Sequence, residues 1–372
     1  MTQLHDAMAA RVAKGELPGL VVLVARGDQV HVEEIGFSSF DGERPMTRDA
    51  LFRIGSITKP MLSAVTMMLV EDGVIALDEP VDRLLPELAG QRVLARIDGP
   101  LDETVPAVRA VTVEDLLTFR MGFGILTEPD FNPPFPIVEA GQQLELTLAQ
   151  PDPRTPHPPD EWIRRFGLLP LMYQPGERWM YNAGALVLGV LVARATGMSL
   201  ADLMRARLFE PLAMAETGFH TTPEKIGRIP DYYMTDFATG EVTLQPVSQP
   251  EQWAAPPPFP SGAGGLLSTV DDVLKFGRLL LAGGKDLLSP ESVRKMTTNH
   301  LTRQQIDTGG MLLDPKGWGY GMGVAQDGRY GWDGGYGTVW FNDPRQDLVA
   351  VAFTQCSDFL FTGGRVEFMS LI

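Results

Sequence analysis

The sequence predicts an α+β fold in which both ends of the chain form one antiparallel sheet flanked by helices, with a mostly helical domain inserted between them. Three observations support this prediction. Two β-branched runs near the N-terminus are separated by the turn residues Gly27 and Asp28, strand patterns return at 318–325, 337–342 and 347–354, and the middle of the chain is mostly helical. Strands at both ends with helices between them are expected to share one sheet.

The first part of the chain contains a helix, a hairpin and a second helix, in that order. Residues 3–14 can form a short amphipathic helix, and the runs 19–25 and 29–35 form the two strands of the hairpin. The run 57–70 is apolar around most of its circumference. Because a surface helix has one polar face, this pattern predicts a helix buried between layers.

The middle of the chain alternates helical patterns with one long proline-rich segment. Nine prolines lie between Pro129 and Pro159. This density excludes a regular helix or a central strand and predicts a long ordered loop, or lid, over 127–160. A glycine-rich loop is predicted over 261–265. Further helices are predicted at 112–119, 160–169, 183–196, 199–208 and 269–282.

These elements divide the chain into two units. Residues 1–65 and 215–372 together form an α/β domain that contains the sheet, and residues 66–214 form the mostly helical domain that includes the lid. We expect the active site to lie between the two units.

The composition excludes several classes of protein. The chain has 372 residues, with 47 acidic against 31 basic side chains and a formal net charge of −16. Since this charge opposes binding to phosphate backbones and anionic lipid, we expect neither a nucleic-acid partner nor a membrane partner. The single cysteine, Cys356, and five scattered histidines predict no disulfide framework and no metal site, and no cofactor is expected.

The first residues give an expectation about the location of the protein. Residues 1–11 are polar, and no stretch of the chain reaches the ~18 apolar residues of a membrane span. We therefore expect a cytoplasmic protein, although a chain from which a signal peptide had been removed would look the same. The sequence leaves the oligomeric state open.

The pair Ser56 and Lys59 has the spacing of a serine nucleophile and its base. Ser56 opens the buried helix, and Lys59 lies three residues later on the same face, where its side chain can reach the serine hydroxyl. Partial burial disfavours the charged form of a lysine, and a neutral lysine can remove the serine's proton. Taken alone, Ser56 is equally well explained as an N-cap serine.

A second Ser-x-x-Lys sequence, at Ser292 and Lys295, serves as an internal control. It follows Ser289 and Pro290 at the start of a polar helix. We expect this serine to be solvated and this lysine to be an ordinary surface charge. Only the first copy opens a buried helix.

Two further motifs follow the first serine and lysine along the chain. Tyr181-Asn182-Ala183 precedes a helix, and Trp332-Asp333-Gly334-Gly335 leads into a predicted strand. In this order the three motifs resemble those of the serine β-lactamase and penicillin-binding-protein superfamily. The likeness extends over nearly the whole chain and is closest to class C β-lactamases, D-alanyl-D-alanine peptidases and family VIII carboxylesterases.

The resemblance implies the β-lactamase and transpeptidase fold and a role for each matching residue. Ser56 is implied as the nucleophile that accepts the acyl group, and Lys59 and Tyr181 are implied to move its proton, with either of them open as the base. The backbone N–H groups of Ser56 and Gly335 are implied to form the oxyanion hole. The other motif residues are implied to line the substrate site: Asn182, Trp332, Asp333 and Gly334.

Two departures from the lactamase and peptidase pattern indicate the substrate. Those enzymes have Tyr-x-Asn, whereas Ala183 stands here in place of the asparagine, and they have Lys-Thr-Gly or His-Thr-Gly where this chain has Trp332-Asp333-Gly334. The missing groups hold the side-chain amide and the carboxylate of a β-lactam, and a tryptophan followed by an aspartate does not attract an anion. Tryptophan at this place is a feature of the esterase branch.

These observations predict a cofactor-free serine carboxylesterase that cleaves small or medium acyl esters through an acyl-enzyme on Ser56. A small-molecule ester is the expected partner. The alternative among enzymes is a β-lactamase, D-amino-acid peptidase or amidase of the same fold. The alternative of another class is a non-catalytic binding protein that kept the fold, against which the intact Ser56, Lys59 and Tyr181 argue.

Overall fold

The computed structural model describes residues 2–126, 135–148, 155–236, 239–313 and 315–372. Within these residues the strands form one large sheet and several two-stranded ones. The strands, in chain order, are β1 (Gly19–Arg26), β2 (Gln29–Gly36), β3 (Phe52–Arg53), β4 (Arg92–Leu94), β5 (Thr104–Pro106), β6 (Tyr233–Asp236), β7 (Glu241–Leu244), β8 (Leu267–Ser268), β9 (Gly317–Trp318), β10 (Gly323–Val324), β11 (Tyr330–Gly334), β12 (Thr338–Asp343) and β13 (Leu348–Phe353).

The large sheet joins the two ends of the chain. Its seven strands have the order β2-β1-β13-β12-β11-β10-β9, and every neighbouring pair is antiparallel. The N-terminal strand β1 lies between β2 and β13, so that Val22 is opposite Glu33 on one side and Ala352 on the other. The predicted fold class, an antiparallel sheet from both termini flanked by helices, is confirmed.

Helices provide the rest of the structure, and several begin at the residues that the sequence predicts. The side chains of Thr112 and Thr269 cap their helices by accepting a backbone N–H from Asp115 and Asp272. The helices are α1 (Thr2–Ala13), α2 (Thr58–Glu71), α3 (Val113–Leu117), α4 (Pro136–Gln143), α5 (Pro159–Phe166), α6 (Ala183–Thr196), α7 (Leu200–Met204), α8 (Val270–Leu281), α9 (Pro290–Met296), α10 (Arg303–Asp307), α11 (Gly310–Leu313), α12 (Asp358–Phe361) and α13 (Gly364–Ser370).

Helices cover both faces of the large sheet. On one face, Val22 belongs to a core that includes Leu4 of α1 and Phe368 of α13. On the other face, Val21 belongs to a larger core that includes Met61 of α2 and residues of α8. Neighbouring side chains enter different cores because they alternate along a strand. The larger core continues into the predicted helical unit through Val187 of α6 and its neighbours.

The predicted strand 318–325 is wrong. The segment forms two short strands, β9 and β10, around a tight turn in which the N–H of Gly319 donates to the carbonyl of Met322 at 2.9 Å. Gly321 has φ +71°, a value that glycine adopts at no steric cost, and this permits the reversal. The following strand, β11, was not predicted, and it contains Trp332 and Asp333.

The exclusion of a regular helix from the proline-rich segment is also wrong. Helix α4 lies inside it, with Pro136 at its first position, where a missing N–H costs no intrahelical hydrogen bond. No proline follows between 137 and 148, so the helix continues to Gln143. The lid residues 144–148 and 155–158 are described and form neither helix nor strand, whereas residues 127–134 and 149–154 lie outside the described residues.

In the described part of the chain, no single helix is long and apolar enough to cross a membrane. One bent pair, Ala183–Thr196 and Leu200–Phe209, passes the length and composition test only when its two helices are taken together, across an angle of 81°. Helix α6 within this pair is buried for most of its length.

Candidate active site

Ser56 lies in a short 3₁₀ turn, Gly55–Ile57, that leads from β3 into α2. The turn is anchored because β3 pairs with β8 and the N–H of Ile54 donates to the carbonyl of Leu266 at 3.0 Å. The Ser56 side chain is partly exposed, whereas Lys59, on the first turn of α2, is buried. The serine is therefore open to a substrate while the lysine is shielded from water.

The amine of Lys59 is in contact with the serine hydroxyl. Its Nζ lies 2.8 Å from Ser56 Oγ, donates to the carbonyl of Ala263 in the 261–265 loop, and lies 4.5 Å from the centroid of the Tyr181 ring. Burial in these surroundings lowers the pKa of Lys59 well below its ordinary value. A neutral amine at this position can accept the serine's proton.

A strained turn holds Tyr181 at the N-terminal end of α6. Asn182 has φ +84° and ψ −56°, and the N–H of Ala183 donates to the carbonyl of Tyr181 at 3.2 Å, which is the rare form of the γ-turn. The same carbonyl accepts the N–H of Ile125 at 2.9 Å. Strain of this kind persists only where the surrounding structure imposes it, and it is concentrated at functional sites.

The phenol oxygen of Tyr181 has two hydrogen-bond partners. They are the hydroxyl of Ser56 and the indole N–H of Trp332, which donates across 2.6 Å. Burial raises the pKa of Tyr181, the two hydrogen bonds lower it only in part, and the charge of Asp333 adds to the rise. The phenol therefore keeps its proton at neutral pH. Aromatic rings surround it: Phe119, Trp179, Trp318 and Trp332.

The backbone of Gly335 lies beside the nucleophile's turn. A β-carbon at Gly334 would lie 2.1 Å from the carbonyl oxygen of Ile54, so only glycine allows the end of β11 to approach so closely. A β-carbon at Gly55 would lie 3.2 Å from the nitrogen of Gly335. The N–H of Gly337 donates to the carbonyl of Gly334 at 2.9 Å. Since a peptide unit is planar, this bond also fixes the direction of the Gly335 N–H.

The N–H of Ser56 is fixed in the same way. It belongs to the peptide unit whose carbonyl, that of Gly55, accepts the N–H of Thr58. Gly335 is exposed, in the turn between β11 and β12, and a β-carbon there would meet no atom within 4 Å. Two preset donors beside open space are what an oxyanion hole requires.

Two residues implied to contact the substrate have partners within the protein. The buried amide of Asn182 donates to the carbonyl of Leu148 at 2.7 Å. Asp333 is the strand neighbour of Trp332 and therefore points to the opposite face of the sheet, where its Oδ2 lies 2.5 Å from Nε of Arg365 on α13. The structure brings the other predicted site residues together. The side chains of Asn182 and Asp333 instead contact other parts of the protein.

The second Ser-x-x-Lys sequence differs from the prediction in one respect. Ser292 is buried, because α9 packs against α2, and its hydroxyl is hydrogen-bonded to the side chain of Glu71. The expectation that it is solvated is wrong. Lys295 lies at the surface, 3.2 Å from Glu291. Ser292 therefore differs from Ser56, because the lysine three residues later lies at the surface and pairs with Glu291.

A lysine that the sequence did not place in the site lies beside Trp332. Nζ of Lys316 lies 5.5 Å from the centroid of the Trp332 ring. Lys316 directly precedes β9, and the antiparallel strands β9, β10 and β11 bring this residue close to Trp332 in β11. Lys316 directly precedes the glycine-rich run at Gly317, and only the correct strand assignment would have placed it here.

The arrangement is suited to acyl transfer. It joins a hydroxyl that can act as a nucleophile, a buried amine, a protonated phenol and two backbone N–H groups that can stabilise an oxyanion. Over the described ranges, no group of three or more His, Cys, Asp or Glu side chains is placed to hold a metal ion.

Several known proteins are similar to this chain over most of its length. The Beta-lactamase family model matches residues 4–363. The uncharacterized protein MT1414 of Mycobacterium tuberculosis is 36% identical over 366 residues, which cover 92% of this chain and 87% of that protein. Esterase EstB of Burkholderia gladioli is 29% identical over 363 residues, covering 91% and 86%. The solved structure of EstCE1, described as "a hydrolase with promiscuous acyltransferase activity", has a TM-score of 0.80 at 24% identity, covering 96% of this chain and 94% of that one.

Proposed function

Because this chain belongs to the Beta-lactamase family and is a serine hydrolase of that fold, we propose that it is a carboxylesterase that cleaves small or medium acyl esters through an acyl-enzyme on Ser56. The family resemblance drawn from the motifs is confirmed. The observation that carries the proposal is the contact of 2.8 Å between the hydroxyl of Ser56 and the buried amine of Lys59. The relative named as an esterase, which this chain matches over most of its length, supports the choice of ester chemistry.

In this proposal Lys59 is the base, because burial lowers its pKa well below the ordinary value. An indole N–H can only donate, so the oxygen of Tyr181 accepts from Trp332, and the phenol keeps its own proton. The amine of Lys59 lies 2.8 Å from Ser56 Oγ and in its neutral form can accept the serine's proton. Tyr181, whose pKa is raised, is left to donate a proton to the leaving group.

Acylation follows from these assignments. Ser56 Oγ attacks the carbonyl carbon of the ester while its proton passes to Lys59, and the N–H groups of Ser56 and Gly335 stabilise the oxyanion. The bond to the alcohol oxygen then breaks, and that oxygen takes the proton of Tyr181. The proton held by Lys59 replaces the one lost from the phenol, and the acyl group remains on Ser56.

Deacylation repeats the sequence with water as the nucleophile. Water attacks the acyl carbon and gives up a proton to the relay, the bond to Ser56 Oγ breaks, and the serine regains its proton. The products are a carboxylic acid and the free enzyme. The cycle needs no redox step, because atoms and charges balance with water as the co-substrate.

A fluorophosphonate probe tests the proposal. We expect the probe to label Ser56, as located by mass spectrometry of the digested protein, and to stop hydrolysis of 4-nitrophenyl butyrate in proportion to labelling. Labelling elsewhere with loss of activity would contradict the assignment of the nucleophile. A protein that neither reacts with the probe nor hydrolyses the ester would instead fit a non-catalytic binding protein.

A second candidate is a β-lactamase, D-amino-acid peptidase or amidase of the same fold. The observation that favours it is the ammonium of Lys316 near Trp332, where the motif itself lacks a cation. Against it stand Ala183 in place of the family's asparagine and the engagement of the Asn182 amide with Leu148.

A further inference from the structure

Gly335 lies in a tight turn that joins β11 to β12. The bond that closes this turn runs from the N–H of Gly337 to the carbonyl of Gly334 at 2.9 Å. Gly335 and Tyr336 are the two central residues, so the peptide unit between them takes no part in the closing bond. Because glycine adopts positive and negative φ with similar ease, the closing bond alone permits more than one conformation at Gly335.

The hydroxyl of Ser357 holds this central peptide unit. Ser357 Oγ donates to the carbonyl oxygen of Gly335 at 2.6 Å, and the serine side chain is buried. Ser357 is the N-cap residue of α12, a position where a serine hydroxyl commonly accepts a backbone N–H of the helix. In the described helix α12 this hydroxyl makes no such bond. It is bonded to the turn beside the nucleophile instead of to its own helix.

The phenol of Tyr232 lies on the other side of this serine. Its oxygen is 2.7 Å from Ser357 Oγ. A carbonyl oxygen can only accept, so the serine gives its one proton to the bond with Gly335 and accepts a hydrogen bond from Tyr232. The rings of Tyr232 and Tyr336 meet edge to face, with centroids 4.9 Å apart. Since Tyr232 and Ser357 are both buried, water does not compete for these bonds.

We propose that Ser357 is a positioning residue that fixes the direction of the Gly335 N–H in the oxyanion hole. The inference rests on the proposed function, in which this N–H stabilises the oxyanion. The closing bond of the turn holds the peptide unit before Gly335, and the serine hydroxyl holds the peptide unit after it. Both backbone torsions of the glycine are thereby set. A donor that is aligned before the reaction needs no reorganisation when the negative charge develops.

The substitution Ser357→Ala tests the inference, because it removes the hydroxyl and leaves the rest of the side chain. We expect kcat for 4-nitrophenyl butyrate to fall by about tenfold, less than the ~10²–10³-fold cost of losing an oxyanion-hole donor outright. KM should change little, because the Gly335 N–H remains and is only held less firmly. Ser357→Thr keeps a hydroxyl and should retain most of the activity.

A pair of inhibitors distinguishes alignment of the oxyanion hole from a general effect on the fold. A trifluoromethyl ketone, 1,1,1-trifluoro-2-hexanone, adds to the serine hydroxyl and gives a tetrahedral adduct whose oxygen is negatively charged. The plain ketone 2-hexanone has the same carbon chain and binds without this charge. The ratio of their inhibition constants therefore measures stabilisation of the oxyanion. We expect Ser357→Ala to weaken the trifluoro ketone by about tenfold and to leave 2-hexanone unchanged.

Two further variants complete the experiment. Thr354→Val is the matched control, since it removes a buried hydroxyl of the same segment that donates to the carbonyl of Gly19 at 2.7 Å, and it should leave the ratio unchanged. Tyr232→Phe keeps the ring beside Tyr336 and removes the donor to Ser357. It should weaken the trifluoro ketone in the same direction as Ser357→Ala, but by less.

Each outcome has a distinct meaning. A wild-type protein that neither hydrolyses the ester nor binds the trifluoro ketone contradicts the proposed function itself. An active wild type whose Ser357→Ala variant keeps kcat and the inhibitor ratio overturns the role of Ser357 and leaves the proposed function intact. The role is also overturned by an equal change for both ketones or by the same change in Thr354→Val. If the alanine variant does not fold, an unchanged ratio in Tyr232→Phe overturns it.

Discussion

The indole N–H of Trp332 donates a hydrogen bond to the phenol oxygen of Tyr181 across 2.6 Å. The sequence predicts that Trp332 lines the substrate site, whereas in the structure its indole contacts the phenol of Tyr181. Since tryptophan can only donate at this nitrogen, the phenol oxygen of Tyr181 is the acceptor in this contact. The residue therefore positions the phenol, and its ring also forms the wall against which Lys316 lies.

Replacing Trp332 by phenylalanine should slow catalysis without preventing substrate binding. The substitution keeps an aromatic ring and removes the N–H, and a hydrogen bond of this kind contributes about 0.5–1.5 kcal/mol. We expect kcat for 4-nitrophenyl butyrate to fall by about two- to tenfold with a smaller change in KM. Trp340→Phe is the matched control, because it lies opposite Trp332 on β12 and its N–H donates to Asn342 instead. Equal losses of kcat in both variants would contradict the role of Trp332.

The sequence was sufficient where local pattern decides the structure. The hairpin around Gly27 and Asp28 and the buried helix α2 follow from residues that are neighbours in the chain, and both were predicted. Ser56 and Lys59 are one helical turn apart, so their contact also follows from local geometry. Tyr181 was identified only through the family resemblance, because the local sequence does not predict the strained turn at Asn182.

The sequence was insufficient where pairing across the sheet decides. The segment of β11 contains Gly331 and Gly334 and lacks β-branched residues, so its strand state depends on pairing with β12. Because β11 was not predicted, neither the ion pair of Asp333 with Arg365 nor the proximity of Lys316 to Trp332 could be predicted. These contacts join residues that are far apart in the chain, and no local pattern encodes them.

The two Ser-x-x-Lys copies should respond differently to the same substitution. Ser56→Ala should abolish hydrolysis of 4-nitrophenyl butyrate, because it removes the atom that accepts the acyl group. Ser292→Ala should leave kcat nearly unchanged but lower the free energy of unfolding by about 1 kcal/mol, because Ser292 is buried and hydrogen-bonded to Glu71. Activity assays with urea denaturation of both variants check this. An inactive Ser292→Ala protein that is still folded would reverse the assignment of the nucleophile.

Lys59→Met should remove activity and stabilise the protein. Loss of the general base should lower kcat by about 10²–10⁴-fold. In the unfolded chain a lysine is charged up to about pH 10.4, whereas burial lowers the pKa of Lys59 in the folded state, so folding of the wild type releases a proton between these two values. Wild-type stability therefore falls as the pH is lowered from about 10.4 to the folded pKa and is constant below it.

Methionine has a similar volume and no charge, so the stability of the variant does not fall in this way as the pH is lowered. We expect its gain in the free energy of unfolding over the wild type to be larger at pH 7 than at pH 9.5, measured by urea denaturation at both values. A variant that is less stable than the wild type at pH 7, or whose difference is independent of pH, would show that Lys59 is charged in the folded protein. That result would remove Lys59 as the base of the resting enzyme.

The choice between ester and β-lactam depends on two groups of the lactam, its side-chain amide and its carboxylate. The amide finds only a methyl group at Ala183, and the neighbouring Asn182 already donates to Leu148, so the amide must be desolvated with poor compensation. The carboxylate finds Trp332 and Asp333 where those enzymes have a lysine or histidine and a threonine. The motif residues therefore match neither of the two groups.

The expected discrimination follows from these two missing interactions. Each lost hydrogen bond to a buried polar group costs about 1–3 kcal/mol, so with two such losses 4-nitrophenyl butyrate should exceed nitrocefin in kcat/KM by at least about tenfold. Both substrates are measured with one preparation of the protein. A nitrocefin value equal to or above the ester value would establish the lactamase candidate, since the desolvated amide would then have a partner that Ala183 does not supply.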